Sequence, residues 1–227
     1  EYSAIENDVT ERLEKTADAL RNGLAGSVEI TTANRPFIRE TEVLDPVDKT
    51  RTWLIVIGDR ARNRTPRALI RGSFTTDIIE KAFCPVLLVP ESLHLTGNFT
   101  IAFASNLEAQ EDQALAELAT FANVFGSGIL VIHISKTRLQ ETDQLSYHRA
   151  LGQITGAFRY LATDYEEIES SGVTERLAEL TRDADVRVLA LVHNRYSFFK
   201  RLFESRYTRE TLNYHHAMLL VLPQTSQ

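Results

Sequence analysis

Residues 53–90 read WLIVIGDRARNRTPRALIRGSFTTDIIEKAFCPVLLVP and contain two short apolar runs, Leu54–Ile57 and Val86–Val89. Both runs are continuously apolar, as in strands of a parallel sheet that is covered on both faces. The segment between them is long enough for a helical crossover, and Gly72-Ser73 is a typical helix opening. The stretch therefore predicts a β-α-β unit in which Gly58 ends the first strand.

The loop that leads to this helix is strongly basic. Ligands of open parallel sheets bind at the carboxyl ends of the strands, where the first N–H groups of a helix can bind an anion. We therefore predict a phosphate site here; a merely solvated basic loop is the alternative. Although the chain has a formal net charge of −6, five of the thirteen residues between Gly58 and Gly72 are arginines, namely Arg60, Arg62, Arg64, Arg67 and Arg71.

The pattern of Gly58, Ala61, Gly72-Ser73 and the run Cys84–Val89 resembles the universal stress protein family. Ala61 departs from it, because members that bind ATP usually have glycine there, and the spacing to Gly72 is about one residue longer than usual. The resemblance implies bound ATP or ADP, with Mg²⁺ only alongside the nucleotide. The residues that it implies for nucleotide binding are Gly58, Arg60, Ala61, Arg62, Gly72, Ser73 and Thr75.

Composition narrows the class of protein. The 227 residues, 43% hydrophobic and 25% charged, suffice for one large or two ordinary globular domains. The single cysteine, Cys84, predicts core packing in a reducing cytoplasm. The acidic balance argues against nucleic-acid binding, and no apolar run predicts a membrane span. We find neither a catalytic triad nor metal-ligand spacing, so we predict a binding protein rather than an enzyme, with no metal site of its own.

The alternation of apolar runs predicts an α/β protein with doubly wound parallel sheets. Outside the opening stretch, the patterns predict helices and strands that are listed here in chain order. They are helix Glu1–Asn22 ended by Gly23, strand Val28–Thr32, a weak helix Arg39–Lys49, strand Phe99–Phe103, helix Ala109–Phe125 ended by Gly126, strand Ile129–Ile134, helix Gln140–Leu161, strand Tyr165–Ile168, helix Val173–Arg182, strand Val186–Val192, helix Arg201–Tyr214 and strand Met218–Leu222.

The two parts of the chain look like repeats, since Pro90 follows VLLV and Pro223 follows LLVL. We predict two tandem domains, residues 1–92 and 97–227, with the Rossmann-like strand order 3-2-1-4-5 that the resemblance implies. The offset places the opening β-α-β of the first domain before residue 1, so we expect about 35 to 40 residues to be missing from this sequence. An unpaired final strand would expose a sheet edge that can pair with other chains. We therefore expect the two final strands to pair with each other, so that the two domains form an intramolecular pseudo-dimer, which still allows further association.

The second repeat keeps the scaffold but loses ligand chemistry. His193 stands where the first repeat has Gly58, and Glu204-Ser205 replaces Gly72-Ser73, so a carboxylate would repel phosphate. Asn106 stands where the family usually has an aspartate. We predict a degenerate second site at Asn106, His193 and Ser205. Two functions remain open: a nucleotide-responsive regulatory stress protein that binds ATP or ADP in its first repeat, and a scaffold that meets an unknown protein partner without nucleotide.

Overall fold

A computed structural model provides the fold, and the residues that it describes span both predicted repeats. They are residues 2–24, 28–34, 43–44, 52–59, 73–90, 93, 99–105, 111–135, 145, 163–169, 173–180, 185–193 and 217–223.

Four helices and seven strands have both of their ends within these residues. The helices are α1 (Tyr2–Gly23), α2 (Ser73–Lys81), α3 (Asp112–Phe125) and α4 (Val173–Leu180). The strands are β1 (Ile55–Asp59), β2 (Val86–Pro90), β3 (Thr100–Ser105), β4 (Gly128–Ser135), β5 (Thr163–Glu169), β6 (Val186–Val192) and β7 (Met218–Leu222).

All seven strands form one sheet in the order β1-β2-β7-β6-β3-β4-β5. Strands β3 to β7, numbered from one to five, give the order 3-2-1-4-5, and each neighbouring pair among them is parallel. The α/β class predicted from the sequence and the strand order that the resemblance implies are both confirmed. The first half contributes a parallel pair, β1 and β2. This pair corresponds to β6 and β7, which are the fourth and fifth strands of the second half.

The two halves meet where β2 pairs with β7. This is the antiparallel junction of an otherwise parallel sheet, and Leu87 lies directly opposite Leu220. The pairing of the two final strands that the sequence predicts is therefore present, and it makes one continuous sheet of what would otherwise be two. Since Pro90 and Pro223 are equivalent in the repeat, Leu87 and Leu220 are equivalent too. An approximate twofold axis consequently passes through their pair.

Two apolar cores cover the two faces of the sheet. On one face α3 packs through Leu118 and Phe121 with Phe103 and Leu220, and we call it the α3 face. On the opposite face lie Ile78 of α2 and Leu177 of α4. Helices on both faces are the defining feature of a doubly wound sheet. Helix α3 ends as predicted, because Gly126 adopts a left-handed φ of 62° and its N–H bonds back to the last turn.

The predicted strand Val28–Thr32 is wrong. Residues 28–34 pair with no strand among those described, and instead they run beside α1. The Asn34 side-chain amide donates to the Glu6 carbonyl at 3.2 Å, and Arg21 donates to the Ile30 carbonyl at 2.6 Å. A strand needs a neighbour for its backbone groups. In the second half that neighbour is β4, which pairs with β5, and no counterpart of β4 lies within the described first half.

The prediction that the first strand is covered on both faces is also wrong. Strand β1 lies at the end of the sheet, and the Val56 side chain is 58% exposed. Helix α1 and its end at Gly23 are confirmed, but its apolar stripe faces solvent, with Ile5 64% and Leu20 51% exposed. The predicted helices 39–49, 140–161 and 201–214 lie almost wholly outside the described residues.

We expect the β2–β7 junction to carry much of the stability of the fold. Replacing the buried Leu88, which pairs with Leu219, by aspartate should lower the free energy of unfolding by about 3 kcal/mol or more, because packing is lost and a charge is buried. Urea unfolding followed by circular dichroism measures this. The control Val56→Asp, on an exposed side chain, should cost less than about 1 kcal/mol. Equal losses for the two variants would contradict a junction held by burial.

Candidate functional site

The first candidate site is the carboxyl end of β1. Gly58, predicted as the exit of the strand, lies within it, because β1 continues to Asp59 and Gly58 pairs with Val89. A Cβ atom added at Gly58 would meet no atom within 4 Å. The strand here therefore does not require glycine for its own packing. It leaves open space above the backbone at the edge where ligands of parallel sheets bind.

Helix α2 begins at Ser73 and is the next described element after β1, which ends at Asp59. The first turn of α2 contains no acidic residue, and Thr75 in that turn is buried. The first N–H groups of a helix have no intrahelical partners, and together with the helix dipole they attract negative charge. The N-terminus of α2 is thus able to receive an anion, and the phosphate site that the sequence predicts at Gly72-Ser73 stays a prediction.

The structure places part of the predicted nucleotide set. Gly58, the backbone of Ser73 and Thr75 belong to one β-α unit, which brings Gly58 and the start of α2 to the same edge of the sheet. Arg60, Ala61, Arg62, Gly72 and the Ser73 side chain lie outside the described residues, so their part in the site stays a prediction.

A buried polar cluster lies at the corresponding edge of the second half. The Ser105 hydroxyl, at the end of β3, donates a hydrogen bond to the Glu111 carboxylate. The neighbouring His133 of β4 donates from Nδ1 to the Ser105 carbonyl at 3.0 Å. All three side chains are buried. His133 is therefore a hydrogen-bonded core histidine and forms no nucleophile pair with the Ser105 hydroxyl.

Glu111 is also the N-cap residue of α3. Its buried carboxylate lies at the positive end of the helix, where negative charge is stabilised. An arriving phosphate would meet this carboxylate, in contrast to the first turn of α2. Sequence reasoning missed Glu111 because the helix was predicted from Ala109. An acidic residue immediately before an apolar helical repeat was the available signal.

His193 follows the carboxyl end of β6. The sequence matched it with Gly58, but the strand register shifts that match by one residue. Gly58 pairs with Val89, whereas Val192 pairs with Leu222, so Val192 rather than His193 is the equivalent of Gly58. The His193 N–H donates to the Leu222 carbonyl at 2.8 Å. Burial lowers the pKa of the His193 imidazole, and the negative charge of Glu80 on α2 opposes that shift. Asn106 and Ser205, the other predicted residues of the second site, lie outside the described residues.

Cys84 is a buried, unpaired thiol, as the sequence predicts for a packing residue. Burial raises its pKa, and the negative charge of Glu117 on α3 raises it further. The thiolate is the reactive form of cysteine, so both effects make Cys84 less reactive. Within the part of the chain that the structure describes, no His, Cys, Asp and Glu side chains cluster as metal ligands. No helix in that part is long and apolar enough to cross a membrane.

The strand order, the helices on both faces and the site at the carboxyl edge define an open, doubly wound α/β protein. Within this class, residues 3–90 match the model of the universal stress protein family. The resemblance predicted from the sequence is therefore confirmed over that part of the chain. No curated protein matches the chain.

Solved structures extend the likeness of fold to the whole chain. A universal stress protein from Archaeoglobus fulgidus aligns with 97% of this chain and 79% of its own at 12% identity and a TM-score of 0.63. A protein of unknown function from Pseudomonas aeruginosa aligns with 99% of this chain and 78% of its own at 15% identity and a TM-score of 0.54. A third, a universal stress protein from Archaeoglobus fulgidus in complex with dAMP, aligns with 56% of this chain and 98% of its own at 13% identity and a TM-score of 0.40.

The lowered pKa of His193 predicts that acid destabilises the fold. The unfolded chain binds a proton near pH 6.5, whereas folded His193 resists it, so the stability present above pH 6.5 is lost as pH falls below that value. Urea unfolding at pH 7.5 and 5.5 should show a smaller loss in His193→Gln than in the parent protein. The exposed replacement Asn123→Gln should keep the parent's loss. An unchanged loss in His193→Gln would contradict this assignment.

Proposed function

We propose that this protein is a tandem universal stress protein that binds an adenine nucleotide, ATP or ADP, in its first half. The observation that carries the proposal is the N-terminus of α2, which follows the carboxyl end of β1 and has no acidic residue in its first turn. Gly58 adds open space at the same edge. Nucleotide binding then regulates a stress response, with no catalytic residue assigned.

The phosphates are the part of the ligand that the first half is built to hold. Helix N–H groups at the start of α2 bind phosphate oxygens without any side-chain charge. The arginines of the preceding loop, Arg60 and Arg62 first among them, add cations whose planar groups match phosphate geometry. Gly72, Ser73 and Thr75 complete the set carried over from the family resemblance. In this proposal Mg²⁺ binds only as a complex with the nucleotide.

The second half is a poor nucleotide site in this proposal. The buried Glu111 carboxylate already lies at the positive end of α3, and Ser105 and His133 are engaged with one another. The equivalent of Gly58 is Val192, whose side chain leaves less room for a ligand to approach the protein backbone. One nucleotide per chain is the expected stoichiometry.

The rest of the proposal concerns assembly and location. Residues 1–92 and 97–227 act as the two halves of an intramolecular pseudo-dimer, joined through β2 and β7. The cytoplasm is the proposed location, because the single cysteine is an unpaired, buried thiol. The signalling partner is a protein rather than a nucleic acid or a membrane, in keeping with the acidic net charge.

A scaffold that works without nucleotide is the second candidate. The observation in its favour is that several large apolar side chains of the first half are exposed, among them Ile5, Leu20 and Val56. Apolar surface of this kind marks contact sites. Ala61 also favours this candidate, because a methyl group stands where the nucleotide-binding family members usually have glycine.

Calorimetric titration of the chain with ATP and ADP decides between the two functions. We expect one site, and Gly72→Glu, which copies the second repeat, should weaken binding by about 100-fold, or about 2.7 kcal/mol, because its carboxylate opposes phosphate. The control Asn123→Glu adds the same charge at an exposed position on α3 and should leave affinity unchanged. Nucleotide affinity that survives Gly72→Glu excludes this phosphate site, and no binding by any variant favours the scaffold.

Gly58→Ala separates the ligand site from the fold. Because an added Cβ meets open space, the free energy of unfolding should change by no more than about 1 kcal/mol, whereas nucleotide affinity should fall by about tenfold, or 1.4 kcal/mol. Unfolding and titration are measured on the same sample. Gly23→Ala, at an equally open position far along the chain, is the matched control and should leave affinity unchanged. An unchanged affinity in Gly58→Ala would remove Gly58 from the site.

A further inference from the structure

Strand β5 lies at the opposite end of the sheet from β1. On its inner side it pairs with β4 in an unbroken register from Thr163 to Glu169. No strand within the described residues pairs with β5 on its outer side. In a parallel pair the backbone groups of alternate residues point to opposite sides of the strand, so the outer edge of β5 presents a row of hydrogen-bond donors and acceptors.

Both faces of the sheet hold β5 in place. The half-buried Tyr165 packs against the core on the α3 face. Ile168 is buried in the core on the opposite face, together with Ile78 and Leu177. Because the strand is anchored on two sides, its outer edge is already ordered, and a partner that pairs with it does not have to order β5 first.

Carboxylates dominate the other positions of β5. Four of its seven residues are acidic and none is basic. The side chains of Asp164, Glu166 and Glu169 are exposed. Within the described residues these three take part in no ion pair. Since aspartate and glutamate are disfavoured in strands, this concentration of charge at an edge calls for a reason beyond local structure.

The charge of β5 selects which strands can pair with it. An edge that only needs protection is usually short, or is interrupted by proline or a bulge, whereas β5 is regular over seven residues and contains no proline. Like charges directly opposite each other destabilise a pair of strands, so the β5 edges of two copies repel. A basic strand meets the opposite condition, because each of its cations lies across from a carboxylate.

We propose that the outer edge of β5 is a docking site for an extended basic segment of a partner protein, which adds to the sheet as a further strand. Hydrogen bonds between the two backbones supply affinity, and alternate side chains supply specificity. Arginine or lysine at every second position lies opposite Asp164 and Glu166, with Cβ atoms about 5 Å apart. The surface belongs to the second half, at the other end of the sheet from the proposed nucleotide site, so its test needs no nucleotide.

The probe is a peptide of alternating arginine and valine with blocked ends, seven residues long to match β5. Fluorescence anisotropy of the labelled peptide, titrated with the full chain, should show saturable binding at one site. Hydrogen exchange should slow by about tenfold or more at alternate amides of β5, because only the amides on the outer edge gain partners. A peptide of alternating glutamate and valine should produce neither effect.

A second control peptide separates strand addition from attraction by charge. It has the same arginines and valines, but every backbone nitrogen is methylated, so it cannot donate a hydrogen bond to β5. It should bind at least about tenfold more weakly and leave the exchange of β5 unchanged. Equal affinity for the two basic peptides, or binding of the first without slowed exchange in β5, overturns the proposal.

The double variant Asp164→Asn with Glu166→Gln removes two carboxylates of the docking site. It should weaken binding of the arginine-valine peptide by about tenfold, because two cross-strand charge pairs are lost. Both side chains are exposed, so the urea unfolding midpoint should stay near that of the parent chain. The matched control, Asp8→Asn with Glu29→Gln, removes the same charge at exposed positions of the first half and should keep the parent's affinity. Equal weakening in both double variants would place the peptide elsewhere.

The chain alone shows whether the outer edge of β5 is available. One alternating set of β5 amides should exchange fast at all protein concentrations. Slow exchange that depends on concentration, together with a dimer in sedimentation, would show that a second copy covers the edge. Slow exchange in the monomer would show that the chain covers its own edge. Either outcome overturns the proposal.

Discussion

The antiparallel pairing of β2 with β7 is the interaction on which the architecture depends. Each of these strands is the last of its half and would otherwise be an open edge. Their pairing removes both edges at once and places Leu87 against Leu220. Each buried leucine of this kind stabilises the fold by roughly 1.5–3 kcal/mol. The short first half, with two strands in the sheet, holds its position through this junction and through the stacking of Trp53 on α3.

The helix starts that the structure describes at the carboxyl edge of the sheet differ in charge, although α3 is not the twofold equivalent of α2, which corresponds to the part of the chain between β6 and β7. Helices α2 and α3 both begin at the carboxyl edge of the sheet, but their first turns differ in charge. The start of α3 is occupied by the buried carboxylate of Glu111, which Ser105 holds by a hydrogen bond. The start of α2 has no acidic residue. The start of α3 therefore already holds a carboxylate, whereas the start of α2 is able to attract an external negative group.

Burial in the first half shows how strongly a strand depends on its neighbours. Val56 and its equivalent Ala190 occupy matching positions in the ladder, yet one is largely exposed and the other is fully buried. The apolar sequence of β1 is that of a central strand, and the exposed stripe of α1 is that of a covered helix. Both segments therefore have sequences suited to an environment in which more neighbours surround them.

The sequence by itself determined the element types of the second half, whereas their strand order was implied by the family resemblance. Continuous apolar runs mark strands buried on two faces, and a left-handed glycine marks the end of α3 at Gly126. These signals are local, and they need no knowledge of partners. The repeated apolar runs before Pro90 and Pro223 also sufficed to predict that β2 and β7 pair, because an apolar edge strand requires a partner.

Only the tertiary structure decided which segments obtain a neighbour. Residues 28–34 have the composition of a strand but run beside α1, since no ladder partner is available to them within the described residues. The cluster of Ser105, Glu111 and His133 joins three segments of the chain, and no local pattern brings them together. Likewise, the register that matches Gly58 to Val192 follows from strand pairing and not from spacing along the chain. Burial and pairing are properties of surroundings, and surroundings are fixed when distant parts of the chain pack.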